Sequence, residues 1–490
     1  MQVPDQGVNP RHGWVDFAVP RLNGSRVART KHPRKWLTFL ARPRTRDRQK
    51  QLASTLLDTF AASQACPWSS RLFTDKYRLP LDTHGMKDYV LWSCSLLLWQ
   101  MGCGSTHPVD GLANTGGTAG SNAATGGAAN AGGSSAAGGT LGGATIVAGW
   151  AHTCLALGGK LQCWGYNFSG QLGNGTTVDS STPVAVQGIG AAVTAMDSQY
   201  YFNCAIVDAG VSCWGENAFG QLGNGASTNS PVAVRVQGLT ADVSAVAVGM
   251  SHACALVEGA VQCWGANSHG VLGGTGTTGS GSSPVRIQGL APGVSTIASG
   301  DNQLCAIVNG GVKCWGDNFF GQLGDGTTND SSSPIQVQGL TAGVTAVAGG
   351  GAHTCAIVNG GVQCWGQGYD GQLGNGTTVG TSPPVQVVGL TSGVTAIACG
   401  NMHTCAIVNG GAQCWGSNND GQLGNGTTTN SSTPVQVQGL TAGVTAIATG
   451  GQHTCAIVNG GVQCWGDDLD GQLGDGATTN KSTPIAVVGL

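Results

Sequence analysis

This sequence has little charge and few aromatics: 9% of its 490 residues are Asp, Glu, Lys or Arg, and 6% are aromatic. So little charge argues against a coiled coil or a highly charged tail protein. No apolar run reaches the roughly 20 residues of a membrane-spanning helix. Glycine is abundant, with 84 residues, but lacks the strict three-residue period of collagen. Motifs of catalysis are missing too: there is no nucleophile elbow, no His-Glu-x-x-His and no phosphate loop. One stretch, Gly274-Thr275-Gly276-Thr277-Thr278-Gly279, matches G-x-G-x-x-G. It follows no strand-to-helix step in a chain full of glycine, so it does not indicate a dinucleotide site. Neither an enzyme nor a cofactor is expected.

What is present is unevenly spread. Residues 1–85 hold 15 Lys/Arg against 6 Asp/Glu, whereas residues 104–490 hold 5 against 17. The larger part is acidic and repels phosphate, so nucleic acid is not an expected partner. A hydrophobic content of 40% excludes wholesale disorder, and the length is ample for a sizeable core. Eighteen cysteines, fourteen of them in pairs at one spacing, point to an oxidising compartment or to metal binding.

The N-terminal region reads as three segments. Residues 1–85 are Arg-rich and lack a sustained apolar period. At Met86 a short charged start (Lys87-Asp88) leads into an apolar run from Tyr89 to Trp99, then Gln100-Met101-Gly102-Cys103. Residues 86–103 thus have the order of a secretory signal. Their end resembles the lipobox of bacterial lipoproteins, which implies acylation of Cys103. Residues 1–85 would block such a signal, so translation is expected to begin at Met86, with the preceding segment a non-native extension or a disordered basic stretch. Residues 104–143 are Gly, Ala, Ser, Thr and Asn in the main. Such a segment buries too little apolar surface to offset its ordering entropy and reads as a flexible tether.

From Ala144 the chain repeats. Cys154, Cys204, Cys254, Cys305, Cys355, Cys405 and Cys455 open seven units, spaced 50 residues apart with one interval of 51. Nine residues after each stands a second cysteine in Cys-Trp-Gly: Cys163, Cys213, Cys263, Cys314, Cys364, Cys414 and Cys464. In the sixth unit, Val394–Ala398, Cys405–Val408, Gly411–Trp415 and Pro434–Val437 are four short strands with glycine-rich turns. Asn409-Gly410 is a type I′ hairpin signal, because both central residues of that turn need positive φ. With that turn, 408 opposes 411 and Cys405 opposes Cys414 at a non-hydrogen-bonded position, where Cα atoms approach to about 4.5 Å. This suits a disulfide, and seven cross-strand disulfides are expected over reduced thiols packed in the core. Zinc is disfavoured, since no close Cys-x-x-Cys pair occurs among the repeats. Cys399 is left over; its counterparts are Ala148, Ser198, Val248, Ser299, Gly349 and Thr449, so it should fill a tight core position.

Seven four-stranded units predict an all-β fold, a seven-bladed β-propeller over residues 144–490. The first unit begins without a preceding Pro-Val strand and the chain ends on Pro484–Val487. That final strand is expected to complete the first sheet and lock the ring.

Gly-Gln-Leu-Gly-Asn-Gly, or its Asp variant, recurs at Gly170, Gly220, Gly321, Gly371, Gly421 and Gly471, after Trp-Gly-x-Asn and an upstream His-Thr-Cys-Ala. This pattern resembles the regulator-of-chromosome-condensation repeat. The third unit departs, with Gly270-Val271-Leu272-Gly273-Gly274, and an altered loop is expected there. The resemblance implies either a guanine-nucleotide exchange factor or a bacterial exported propeller that grips a protein. The export signal, the cysteine spacing and the acidic charge favour the second: a monomeric, lipid-anchored binding module at the outer membrane or cell surface, secreted if Cys103 is not acylated. A carbohydrate-binding or hydrolytic propeller is a third reading.

Two residues before the first cysteine stands His152, His252, His353, His403 or His453, replaced by Phe202 and Gln303 in two units. A hydrogen bond to the neighbouring blade explains this better than a ring of metal ligands. Asp467-Asp468-Leu469-Asp470-Gly471 has some features of a calcium loop but lacks its ligand spacing and terminal Glu. The repeats differ most in their loops, where Trp150, Phe168, Tyr200, Tyr201, Phe219, Phe319, Phe320 and Tyr369 stand. Aromatics on loops of a rigid scaffold are anchors for a protein partner; packing between blades is the alternative.

Overall fold

A computed structural model describes residues 144–490 except 274–278. The signal segment, Cys103, the tether and residues 1–85 lie outside the described residues, as does nearly all of the G-x-G-x-x-G match. The described chain forms seven four-stranded antiparallel sheets, each contiguous in sequence, from Thr145–Ala148 in blade 1 to Lys481–Ala486 in blade 7. The one helical element described is a 3₁₀ turn at Ser268–Gly270, in the loop where the third unit departs from the repeat.

Each blade is built outward from its central hairpin. In blade 6, Val408 opposes Gly411 and Cys405 opposes Cys414, the register expected from the turn. Asn409 and Gly410 have φ of 51° and 81°, as a type I′ turn requires. All seven cysteine pairs are disulfides, with Cα atoms 4.0–4.1 Å apart. Cys399 is buried in the core between blades, and burial pushes its thiol up to about 12.

Blades pack through one repeated device. The Trp of Cys-Trp-Gly is fully buried in every blade. Its indole N–H donates to a loop carbonyl of the preceding blade, as Trp214 does to Gln171 at 3.0 Å and Trp415 to Gln372 at 2.9 Å. Blade 1 follows the same rule across the ends of the chain: Trp164 donates to the Gln472 carbonyl at 2.9 Å. Around it Ile146, Ala148 and Leu155 pack with Ala446, Ile457 and Leu473.

Closure therefore differs from the expectation of a shared strand. The last strand stays in its own blade, where Ile485 opposes Cys464 and Lys481 opposes Gly466. Blade 1 already has its fourth strand, Ser180–Ala185. Each blade being complete, the ring closes by the seam contacts used everywhere else.

Candidate functional site: the loop face of the propeller

Two kinds of loop share one end of the propeller. In every blade the residue after Trp-Gly donates its N–H to the loop between the first and second strands. Tyr166 to Ala151 at 2.9 Å and Asp467 to Gln452 at 2.9 Å mark the two ends of the series. The hairpin turns lie at the opposite end. All eight aromatic candidates thus occupy one face.

Around the axis the first loops of successive blades bond main chain to main chain: Met250 N–H to the Asp301 carbonyl at 2.9 Å, Gly351 to Gly400 at 3.3 Å and Gly451 to Gly149 at 3.2 Å. Glycine is needed at this radius. A Cβ on Gly400 would lie 2.5 Å from the Gly450 carbonyl oxygen and 2.6 Å from the His403 ring. The repeated histidines sit just below, fully buried, and bond to the next blade as expected. His353 Nε2 meets Thr404 Oγ1, His403 meets Thr454 and His453 meets Thr153, each at 2.9 Å. Burial holds these imidazoles far below their ordinary range, to about 3 for His353, His403 and His453 and about 4 for His152 and His252.

The aromatic candidates fall into two groups. Trp150 lies 4.8 Å from Tyr200, which meets Tyr201 edge-on at 6.1 Å. Tyr201 contacts Tyr166 at 5.6 Å, and Tyr166 stacks on Phe168 at 6.5 Å. These five rings span blades 1 and 2. Phe319, Phe320 and Tyr369 form the second group on blades 4 and 5, with centroids 4.9 and 6.1 Å apart. Phe219, on blade 2, belongs to neither set of ring contacts. Phe168, Phe319 and Tyr369 are 74%, 67% and 64% exposed, and Phe219 is 49% exposed, so these rings offer most or about half of their surface to solvent, Tyr369 while also meeting Phe320 across the seam. Trp150, Tyr200, Tyr201 and Phe320 are half-buried.

Two residues join the site that sequence reasoning did not select. Tyr166 bridges Tyr201 and Phe168; the sequence signal was that the variable position of Trp-Gly-x-Asn is aromatic in the first unit alone. Asp301 of blade 4 accepts the Tyr200 hydroxyl at 3.2 Å and the Gln199 side-chain amide at 3.2 Å, both from blade 2. Burial raises Asp301 to about 7 against the pull of these hydrogen bonds, and Asp317 nearby adds to the rise. No sequence signal links positions a hundred residues apart.

Acids also line this face. Asp370 accepts from Asn430 at 3.0 Å and Asp420 from Asn480 at 2.9 Å, each pair crossing a seam. At the blade 7–blade 1 seam the equivalent pair is Asp470 and Asp179. Burial, then Asp179 and Asp467, raise Asp470 to about 6. The Asp467–Asp470 stretch does not form a calcium cage. Asp468 spends its oxygens on the N–H groups of Leu473 and Thr479, and Asp467 accepts from Gln472 at 2.8 Å. Of the five Lys/Arg in the propeller, Lys481 stands at this end, where it pairs with Asp475 at 3.5 Å. Lys160, Arg235, Arg286 and Lys313 lie toward the hairpin end of their strands.

Comparison with known proteins agrees with this architecture. The RCC1-like domain model matches residues 117–456, and the regulator of chromosome condensation (RCC1) repeat matches 444–472. No curated protein matches the chain. Among solved structures, human WBSCR16 is 25% identical with a TM-score of 0.60, covering 68% of this chain and 94% of its own. Prp20p of Saccharomyces cerevisiae, described with its binding to Gsp1p and histones, is 19% identical with a TM-score of 0.60, covering 68% and 86%. Yeast RCC1 (Prp20) bound to Kap60 is 17% identical with a TM-score of 0.62, covering 77% and 91%. These last two likenesses are likenesses of fold. With the repeat, the seven closed blades and a family model matching more than half its length, the chain belongs to the RCC1-like domain family.

Proposed function

We propose that this protein is an exported, lipid-anchored, monomeric propeller that binds a protein partner through its loop face at the bacterial cell envelope. The observation that carries the reading is the set of aromatic rings, more than half exposed at Phe168, Phe319 and Tyr369, held on loops braced by main-chain bonds. Rings held this way add contact area at little entropic cost. The excess of acids at the same end favours a partner with a basic surface and disfavours nucleic acid. Seven disulfides support an oxidising compartment, and the signal ending at Cys103 supports a lipid anchor. In this reading the protein is a binding module without an enzymatic role or cofactor.

The experiment has two arms. Cell fractionation with lipid labelling at Cys103 and thiol counting tests export: envelope location, a labelled Cys103 and fourteen oxidised cysteines are expected. Cytosolic protein with reduced thiols overturns it and favours an exchange factor for a small GTPase. The second arm compares partner capture by the native chain and by a Phe168→Ala, Phe319→Ala, Tyr369→Ala triple variant. Loss of capture with unchanged melting is expected; capture that survives the triple change removes the loop face from the reading.

A further inference from the structure

The seven seams present the same three positions on the loop face, one from the leading blade and two from the following one. Their occupants differ. At the blade 5–blade 6 seam they are Asp370, Ser417 and Asn430, and an amide–carboxylate hydrogen bond closes the gap. At the blade 3–blade 4 seam they are His269, Asp317 and Asp330. His269 Nδ1 lies 2.7 Å from Asp330 Oδ2 and 3.8 Å from Asp317 Oδ1, and the three donor atoms all lie within 4.8 Å of one another.

Both carboxylates are held in place by the fold. Asp330 Oδ1 accepts the Asn318 N–H at 2.9 Å, and Asp317 Oδ1 accepts the Phe319 N–H at 3.0 Å. Main-chain bonds of this kind orient carboxylates as metal ligands are oriented by their outer partners. His269 sits at φ 57° within the 3₁₀ turn, a conformation uncommon for a residue with a side chain. The site is also where the loop loses its usual brace. In the other six blades a Gln side chain accepts the N–H two residues before it, as Gln322 does for Phe320 at 2.9 Å. Val271 stands at that position in blade 3 and offers no such acceptor.

One imidazole nitrogen and two carboxylate oxygens thus converge from two blades, close enough together to share a single ion. We propose that His269, Asp317 and Asp330 form a binding site for a divalent first-row cation of the zinc class, clamping blade 3 to blade 4. One nitrogen and two carboxylate oxygens suit zinc, which takes its fourth ligand from solvent in such open sites. Calcium is disfavoured because its ligands are oxygens. The side chains are 34%, 18% and 41% exposed, so an ion has a path in.

The test is titration of Zn²⁺ into the full chain in competition with a chromophoric chelator. The native protein should take up an equivalent that His269→Ala and Asp330→Asn each weaken tenfold or more. Asp420→Asn, at the corresponding position of another seam, should leave it unchanged. Co²⁺ should give a visible absorption band that His269→Ala removes. Thermal melting of each variant without metal confirms folding, and His269→Gln replaces His269→Ala should the latter fail to fold. Absence of Zn²⁺ uptake, or uptake undiminished in a folded His269 variant, overturns the proposal and leaves an ion pair.

Discussion

The two ends of the propeller were built from the same seven repeats and have diverged to different degrees. At the hairpin end the turn is Asn-Gly in blades 4 to 7, with Asn φ of 51–52° throughout. Blades 1 to 3 use Gly158-Gly159, Asp208-Ala209 and Glu258-Gly259 instead, and still keep positive φ at both positions. The backbone demand is constant, and the side chains merely meet it. At the loop end the backbone repeats in six blades and departs in blade 3, where His269 has φ 57°, and equivalent positions carry Ser169, Phe219, His269, Phe320, Asp370, Asp420 and Asp470. A side chain that points outward from a braced loop answers to no packing constraint. Variation there is free to serve recognition, and the repeat supplies a rigid ring on which it is displayed.

The comparison breaks most severely at the seams, which both ends depend on. Trp415→Ala removes a fully buried ring and its hydrogen bond to Gln372, and should cost about 3–5 kcal/mol by urea denaturation. A loss below about 1 kcal/mol would mean that the seams do not carry the fold. Next comes the hairpin: Cys405→Ala with Cys414→Ala opens a short cross-linked loop and should cost about 2–3 kcal/mol. Both changes should weaken partner binding only through stability, measured as binding that recovers fully under conditions where the variant is folded.

The third effect depends on pH. The five buried histidines have folded-state values lowered to about 3 or 4. The unfolded chain therefore takes up protons first as pH falls below about 6.5, and stability drops from there toward pH 3–4. Asp301, Asp468 and Asp470, raised to about 7, 6 and 6, act with the opposite sign and gain stability as they protonate. The histidine contribution is isolated by His252→Gln, because Gln303 fills the same slot in blade 4 and donates to the Gly350 carbonyl at 3.1 Å. The melting temperature of His252→Gln should fall less steeply than that of the native protein between pH 6.5 and 4; parallel curves would refute the assignment. Smallest is the effect at the loop face, where Phe168→Ala and Tyr369→Ala should each change stability by less than about 0.5 kcal/mol. A larger loss in melting experiments would make those rings structural.

Much of the loop face was legible before any coordinates. Phe168, Phe319 and Tyr369 announced themselves by differing from their counterparts, and the structure places them outward on one end. Asp301 did not announce itself, because an acid at a variable position has no distinctive signal until Tyr200 reaches it from two blades away. Ring closure was misread for a related reason. Pro484–Val487 looks like a spare strand only when the first unit is counted as lacking one, and Ser180–Ala185 fills that place.

By itself the sequence determined what is local: seven blades, the hairpin register and the pairing of fourteen cysteines. The register and the cysteine pairing depend on residues no more than nine apart, where a two-residue turn leaves one register open, and the blade count on a repeat of 50 residues that can be read along the chain. Tertiary structure alone decided which distant residues became neighbours. Trp164 against Gln472 and Asp179 against Asp470 follow from curvature accumulated over seven blades, and Tyr200 against Asp301 from loops that converge across blade 3. No pair of repeats contains that sum.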